Sequence, residues 1–149
     1  AAAGDGRLFR DLWRGLGQCR NTGERMMHKG SCLCGDVTFV VTAPPQGASA
    51  CHCGQCRKQS GHVWASAYVA RAELSISGPV SWYASSDIAK RGFCPKCGSF
   101  LFWAAHAEDT ISFALGALEA PTGLRLEKHI FVKDKGDYYD IADGVPQTD

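Results

Sequence analysis

Short apolar runs, each ended by a turn signal, recur along the chain from Lys29 onward. Runs of about four to eight residues that are rich in β-branched and aromatic side chains predict strands, because a pleated backbone accommodates such side chains best. Turn signals such as Gly78-Pro79 and Pro121-Thr122-Gly123 separate the runs. The predicted strands are residues 37–41, 63–69, 74–76, 81–83, 99–104, 111–115 and 125–132.

Helical signals are few in this part of the chain. Residues 55–60 predict one short helical turn, and Gly61 is expected to end it, because glycine tolerates the backbone conformation found at helix C-termini. The fold class predicted from the pattern is therefore all-β, with small sheets and little helix.

Residues 1–28 differ from the rest of the chain. They hold five arginines against three acidic residues, and one helical face would carry Leu8, Phe9, Leu12, Trp13 and Leu16. A targeting peptide is one interpretation, but the acidic residues argue against it. We interpret residues 1–28 as a flexible leader that carries an isolated Cys19, and residues 29–149 as the domain.

Composition excludes several classes of partner. At 149 residues the chain fits one domain, with 45% hydrophobic and 21% charged residues. The net charge of +1 gives no electrostatic reason to expect nucleic acid or an anionic membrane as partner. No apolar run approaches the roughly 18 residues that a membrane span needs.

The chain has eight cysteines, and their spacing indicates metal ligands. Tight clusters of the forms C-x-C, C-x-C-x-x-C and C-x-x-C are typical of zinc sites, whereas a disulfide framework has no need of them. The chain shows no apolar stretch of about 7–15 residues behind a charged segment, as a secretory signal would require. We therefore expect free thiols in a reducing, cytoplasmic compartment.

Spacing alone leaves two ways to divide the clustered cysteines between metal ions. The turn Cys94-Pro95-Lys96-Cys97-Gly98 aims two thiolates at one point and needs a second pair to complete a four-sulfur site. If Cys32 and Cys34 complete it, Cys51, Cys53 and Cys56 form a three-thiolate site. Alternatively, Cys53 and Cys56 pair with the Cys94 turn and leave Cys32, Cys34 and Cys51. Three protein ligands would leave tetrahedral zinc one open position, the hallmark of a catalytic site.

Three cysteine motifs, in this order along the chain, resemble those of the glutathione-dependent formaldehyde-activating enzyme family, which shares its domain with centromere protein V. The matching segments are Gly30-Ser31-Cys32-Leu33-Cys34-Gly35, Cys51-His52-Cys53-Gly54-Gln55-Cys56-Arg57-Lys58 and Arg91-Gly92-Phe93-Cys94-Pro95-Lys96-Cys97-Gly98. The resemblance continues through residues 111–118, 129–132 and 143–146, so it covers about residues 29–146.

The resemblance implies a fold of the Mss4-like type, with several antiparallel sheets organised around two zinc ions. It also implies a division of roles. The residues that match Cys32, Cys34, Cys94 and Cys97 bind structural zinc in the family, and those that match Cys51, Cys53 and Cys56 bind the zinc associated with activity. The activity implied is that of S-(hydroxymethyl)glutathione synthase, a carbon–sulfur lyase in the reverse direction.

The enzymatic hypothesis is that the three-thiolate zinc lowers the pKa of a glutathione thiol, whose thiolate adds to formaldehyde or a related small aldehyde. Arg57 and Lys58, beside the third ligand, are candidates for binding the carboxylates of glutathione, as are Lys90 and Arg91. The alternative hypothesis is a non-catalytic, zinc-stabilised binding module, which predicts a fourth protein ligand or a bound partner. His62 is the candidate for that ligand.

Overall fold

The structure is a computed structural model, and it describes residues 27–149. Residues 1–26 of the predicted leader, which include Cys19, therefore lie outside the described residues. The first strand, β1, spans His28–Ser31 and so begins one residue before the predicted start of the domain.

A three-stranded sheet consists of β1, β2 (Thr38–Val41) and β5 (Leu74–Ser77) in the order β1-β2-β5. Both neighbouring pairs are antiparallel. Gly30 on β1 lies against the ring of Phe39 on β2, and a Cβ atom at Gly30 would come within 2.3 Å of that ring. Glycine at this position therefore allows the two strands to close over a buried phenylalanine.

A seven-stranded sheet has the order β10-β3-β4-β9-β8-β7-β6. Its strands are β3 (Gln46–Cys51), β4 (Trp64–Ala70), β6 (Ser81–Ala84), β7 (Ala89–Phe93), β8 (Phe100–Ala105), β9 (Thr110–Ala114) and β10 (Lys128–Ile130). The strand pairs are antiparallel except for β10, which runs parallel to β3. β3 and β10, which pair at Cys51 and Ile130, are thus far apart in sequence.

The helix α1 (Gly54–Ser60) follows β3 directly, and short 3₁₀ turns span Arg71–Glu73, Leu115–Ala117 and Val132–Asp134. Gly61 ends α1 in the left-handed conformation, with φ of 85°, and its amide donates to the Arg57 carbonyl at 3.0 Å. The short helix and its glycine stop are therefore as the sequence predicted.

The all-β prediction is confirmed, with sheets that differ in detail from the expected set. Seven of the strands form one continuous sheet rather than several small ones, and one strand pair is parallel. Three strands lack an apolar run and were missed: β1 (HKGS), β3 (QGASAC) and β7 (AKRGF). Residues 125–132 were predicted as one strand, but only Lys128–Ile130 pairs with a neighbour.

The hydrophobic core lies between the two sheets. Phe39 from the small sheet contacts Phe102 edge-on, with centroids 5.2 Å apart, and Phe113 at 5.9 Å. Because strand side chains alternate between faces, β4 sends Val69 into this core and presents Trp64 and Tyr68 to the opposite face of the large sheet. The core therefore covers one face of that sheet and leaves the other for a cleft.

No helix within residues 27–149 has both the length and the apolar character needed to cross a membrane.

Candidate metal centres and active-site cleft

Four thiols from two distant turns meet beside the small sheet. The Sγ atoms of Cys32, Cys34, Cys94 and Cys97 all lie within 4.8 Å of one another. The Cys32 and Cys34 sulfurs are 3.5 Å apart, and those of Cys34 and Cys94 are 3.7 Å apart. Four sulfurs at about 2.3 Å from a tetrahedral zinc would be about 3.8 Å from each other. The donor set and spacing therefore fit a closed four-sulfur zinc site.

Backbone turns aim these four thiols inward. The Gly98 amide donates to the Cys94 carbonyl at 2.9 Å, and Gly98 has φ of 77°, a conformation that glycine adopts without a steric penalty. The Val37 amide donates to the Cys32 sulfur at 3.3 Å. A hydrogen bond from the Ser99 side chain lowers the pKa of Cys97 to about 5, which favours the thiolate that a metal requires.

The remaining three clustered thiols meet where β3 joins α1. Cys51 is the last residue of β3, Cys53 is the N-cap of α1, and Cys56 is buried in its first turn. Their Sγ atoms lie within 4.8 Å of one another, and within residues 27–149 no histidine, cysteine or carboxylate joins them as a fourth potential ligand. The thiols of both clusters are free, with no disulfide between them. Of the two partitions left open by spacing, the structure has the one that keeps each cluster whole.

Ionisation of both Cys51 and Cys56 is opposed unless a cation lies beside them. The pKa of Cys56 is lowered to about 6 by a hydrogen bond with Cys51 and, to a smaller degree, by Arg91. The same hydrogen bond raises the pKa of Cys51, and burial raises it further. Without a cation, one proton is therefore shared between the two sulfurs, whereas a divalent metal would stabilise all three thiolates. The chemistry of this cluster thus fits a metal ion.

Arg91 on β7 lies beside this cluster and is only 4% exposed. Its Nη1 atom donates to the Cys56 sulfur at 3.5 Å, and its Nη2 atom donates to the Gln55 side-chain oxygen at 2.9 Å. The guanidinium also lies 5.4 Å from the centroid of Phe100, whose ring stacks on Trp64 at 4.2 Å. A buried positive charge is therefore fixed against the sulfur of one potential ligand.

The cluster opens into a cleft of about 1020 Å³ on the uncovered face of the large sheet. Small residues, including Gly47, Ser49, Ser66 and Ser112, contribute to its floor, and Cys51, Cys53 and Cys56 lie at one end. Five basic residues line the cleft against a single acidic one: Arg57, Arg91, Lys128, Lys133, Lys135 and Asp134. The cleft therefore suits a ligand that carries negative charge.

Comparison with known proteins identifies the family. The sequence profile described as "Glutathione-dependent formaldehyde-activating enzyme" matches residues 27–134. The chain belongs to this family. The resemblance found in the sequence is thereby confirmed. An uncharacterized lyase of Schizosaccharomyces pombe is 27% identical over 122 residues, which are 77% of this chain and 85% of the yeast protein.

A crystal structure of a Rhodobacter sphaeroides protein is similar in fold. It superposes with a TM-score of 0.51 and 25% sequence identity, over 80% of this chain and 99% of the bacterial one. The family assignment thus covers both cysteine clusters and nearly the whole cleft.

The candidate substrate-binding residues fall into two groups in this family member. Arg57 and Arg91 line the cleft, as does Trp64. Lys58 lies instead in a separate cleft of about 420 Å³, together with Phe93. Lys90 lines neither of these and places its ammonium 4.7 Å from the Trp82 ring. Arg57 thus lines the large cleft and its neighbour Lys58 does not, and the same difference separates Arg91 from Lys90.

A hydrogen-bonded chain that runs through the buried His52 and His129 was not foreseen. The His52 Nε2 atom is 2.8 Å from His129 Nδ1, and His129 Nε2 is 2.9 Å from the Asp143 carboxylate. The other ring nitrogen of His52 is hydrogen-bonded to the Tyr139 hydroxyl. His52 is 1% exposed, and both of its ring nitrogens are engaged by Tyr139 and His129 rather than by the thiols. His62 contacts the Tyr138 hydroxyl at 3.1 Å and is not part of the thiol cluster.

Proposed function

We propose that the chain is a zinc-dependent enzyme of the carbon–sulfur lyase type, which adds the thiol of glutathione to formaldehyde or a related small aldehyde. The observation that carries this proposal is the three-thiol cluster. It has no fourth protein ligand among residues 27–149, and it lies at the end of a large cleft. A non-catalytic zinc module would need neither an open position nor a cleft that leads to it.

The residues that would hold the catalytic zinc are Cys51, Cys53 and Cys56, and those that would hold a structural zinc are Cys32, Cys34, Cys94 and Cys97. When bound by three thiolates, zinc supplies positive charge that lowers the pKa of an incoming thiol. The buried Arg91 guanidinium, 3.5 Å from the Cys56 sulfur, offsets part of the negative charge of the three thiolates.

The cationic lining supports a peptide-like thiol as one substrate. Glutathione carries two carboxylates and one ammonium group, so it is anionic even before its thiol ionises. Arg57 has a buried Nε–H group without a hydrogen-bond partner, and the same holds for the indole N–H of Trp64. Both residues line the cleft. With Lys128 on β10, they provide donors for the carboxylates and peptide carbonyls of such a ligand.

The proposed reaction balances as a simple addition. The thiolate sulfur attacks the carbonyl carbon, a carbon–sulfur bond forms, and the carbonyl π electrons move to oxygen. The proton released by the thiol ends on that oxygen, so glutathione and formaldehyde give S-(hydroxymethyl)glutathione. Because this addition already proceeds in water, the contribution we assign to the chain is to hold both reactants together and to favour the thiolate. We extend the proposal to a reducing, cytoplasmic location, for which free thiols are suited.

The test is glutathione-dependent formaldehyde consumption, measured against the uncatalysed rate at the same thiol concentration. The zinc-loaded protein should accelerate the reaction, and Cys53→Ser should abolish the acceleration while the four-thiol site keeps its metal. A protein that binds two zinc ions but neither binds glutathione nor exceeds the background rate would contradict the enzymatic proposal and favour the binding module.

A further inference from the structure

The cleft is much longer than a one-carbon aldehyde requires. Cys51, the last residue of β3, and Gly47, near the start of the same strand, both line it. The volume of about 1020 Å³ lies at the upper end of the range typical of drug-sized ligands. Formaldehyde would occupy only the space next to the thiols.

Exposed apolar side chains also line the cleft. Tyr68 is 39% exposed, Ile88 is 71% exposed and Phe131 is 49% exposed, and all three line the cleft. The Tyr68 ring lies directly against Gly47, where a Cβ atom would come within 2.6 Å of it. Exposed apolar side chains that are gathered in one concave site, rather than scattered, indicate a ligand with an apolar part.

Phe131 is held in a backbone conformation that side chains other than glycine rarely adopt. Its φ of 55° makes it the one non-glycine residue with positive φ within residues 27–149. It directly follows Ile130, which is paired with Cys51, and it precedes the 3₁₀ turn Val132–Asp134. Strain of this kind is characteristic of functional sites. The aromatic ring is thus presented at the cleft at the expense of local backbone preference.

Basic and apolar side chains lie close together in sequence around Phe131. Lys128, Ile130, Phe131 and Lys133 all line the cleft within six residues of sequence. Under the proposed function, the basic side chains bind the carboxylates of a peptide thiol. No part of glutathione is as apolar as a phenyl ring. The apolar side chains are therefore left for the other reactant, the aldehyde.

We propose that the aldehyde substrate carries an apolar substituent of about the size of an aromatic ring, which packs against Ile88 and Phe131. This inference rests on the proposed function and narrows its second substrate. The reaction is the same addition: a thiol RSH and an aldehyde R′CHO give the hemithioacetal RS–CH(OH)–R′, with R′ along the cleft. The carbon–sulfur bond forms at the carbonyl carbon, and the thiol proton ends on the former carbonyl oxygen.

The experiment compares two aldehydes, formaldehyde and 3-phenylpropanal, with glutathione and the zinc-loaded protein. NMR exchange between the aldehyde and hemithioacetal signals gives the catalysed rate, which is divided by the uncatalysed rate for each aldehyde. We expect the acceleration for 3-phenylpropanal to exceed that for formaldehyde by about tenfold or more. An equal or smaller acceleration for 3-phenylpropanal overturns the inference.

Two variants and a matched control locate the effect in the cleft. Phe131→Ala and Ile88→Ala should each lower the ratio of the two accelerations by about fivefold, whereas Ile76→Ala should not change it. Ile76 is 37% exposed on the small sheet and does not line this cleft, and Ile88 is exposed enough that its truncation does not threaten folding. If the variants lower both accelerations equally, the side chains do not contact the substituent and the inference fails.

The outcomes also separate this inference from the proposed function. Acceleration of formaldehyde alone leaves the proposed function intact and overturns the inference. Acceleration of neither aldehyde contradicts both.

Discussion

The Nε2 atom of His52 lies 2.8 Å from the Nδ1 atom of His129, so a residue between two cysteines of the three-thiol cluster is tied to a strand some 77 positions later. The His52 amide reinforces this link by donating to the Ile130 carbonyl at 3.1 Å. Burial, with a smaller contribution from the neighbouring His129, lowers the pKa of His52 and favours its neutral form. The segment that presents Cys51 and Cys53 is thus anchored from behind by β10.

Replacing His129 by alanine should therefore weaken both the fold and the three-thiol site. The change leaves the buried Nε2 atom of His52 without its partner, which typically costs about 1–3 kcal/mol in the free energy of unfolding. Denaturant unfolding measures this loss, and zinc release to a chelator measures the effect on the site. We expect faster release from one zinc per chain and unchanged release from the other.

The matched control is His106→Ala, because His106 is exposed and lies outside the hydrogen-bonded chain. Equal acceleration of zinc release from both sites in His129→Ala would show a general loss of stability rather than a loss of anchoring.

Asp143 gives this anchor a pH dependence. The Val145 backbone amide and His129 lower the pKa of Asp143 below its ordinary value of 3.8. A lowered pKa means that the carboxylate stabilises the folded state fully above pH 3.8, and that this contribution is lost as the pH falls through the lower, folded-state value. The difference in thermal midpoint between the wild type and Asp143→Asn should thus be constant from about pH 5 to 7 and shrink below pH 3.8. A difference that grows on acidification would contradict the assignment.

Loss of a cysteine ligand should affect folding differently at the two thiol clusters. Cys97→Ala removes one ligand from the four-thiol site that joins two distant turns, and such structural zinc contributes on the order of 10 kcal/mol of apparent affinity at neutral pH. We expect this variant to lose cooperative unfolding. Cys53→Ala should retain the fold and one zinc per chain, as measured by elemental analysis and circular dichroism. Unfolding of Cys53→Ala together with tolerance of Cys97→Ala would reverse the roles.

Local sequence signals were sufficient where the structure depends on near neighbours. The Cys94 turn, the helix that ends at Gly61 and the strands rich in valine and phenylalanine were all predicted. The failures coincide with the site. β3 (QGASAC) was missed because its small residues help to form the floor of the cleft, so the requirement for open space overrides the usual preference of strands for branched side chains.

Pairings between distant segments were beyond the reach of local patterns. The contact between His52 and His129 depends on β10 lying parallel to β3, and no periodicity in residues 125–132 specifies that neighbour. The same holds for Arg91 on β7, whose contact with the Cys56 sulfur joins residues 35 positions apart. For the thiol clusters, the resemblance to a family supplied the partition that spacing left open.

Arg57 and Lys58 provide a final test, because they are adjacent in sequence but line different clefts. If glutathione binds in the large cleft, Arg57→Ala removes a charged hydrogen-bond donor to a carboxylate. Hydrogen bonds to charged groups contribute about 1.5–3 kcal/mol, so the KM for glutathione should rise by about tenfold or more. Lys58→Ala should leave that KM within about twofold of the wild type, because Lys58 lines the smaller cleft and not the large one. Steady-state kinetics at a fixed aldehyde concentration measures both. A larger effect from Lys58→Ala than from Arg57→Ala would place the thiol substrate in the smaller cleft, beside Tyr83 and Phe93, and would remove the argument from the cationic lining.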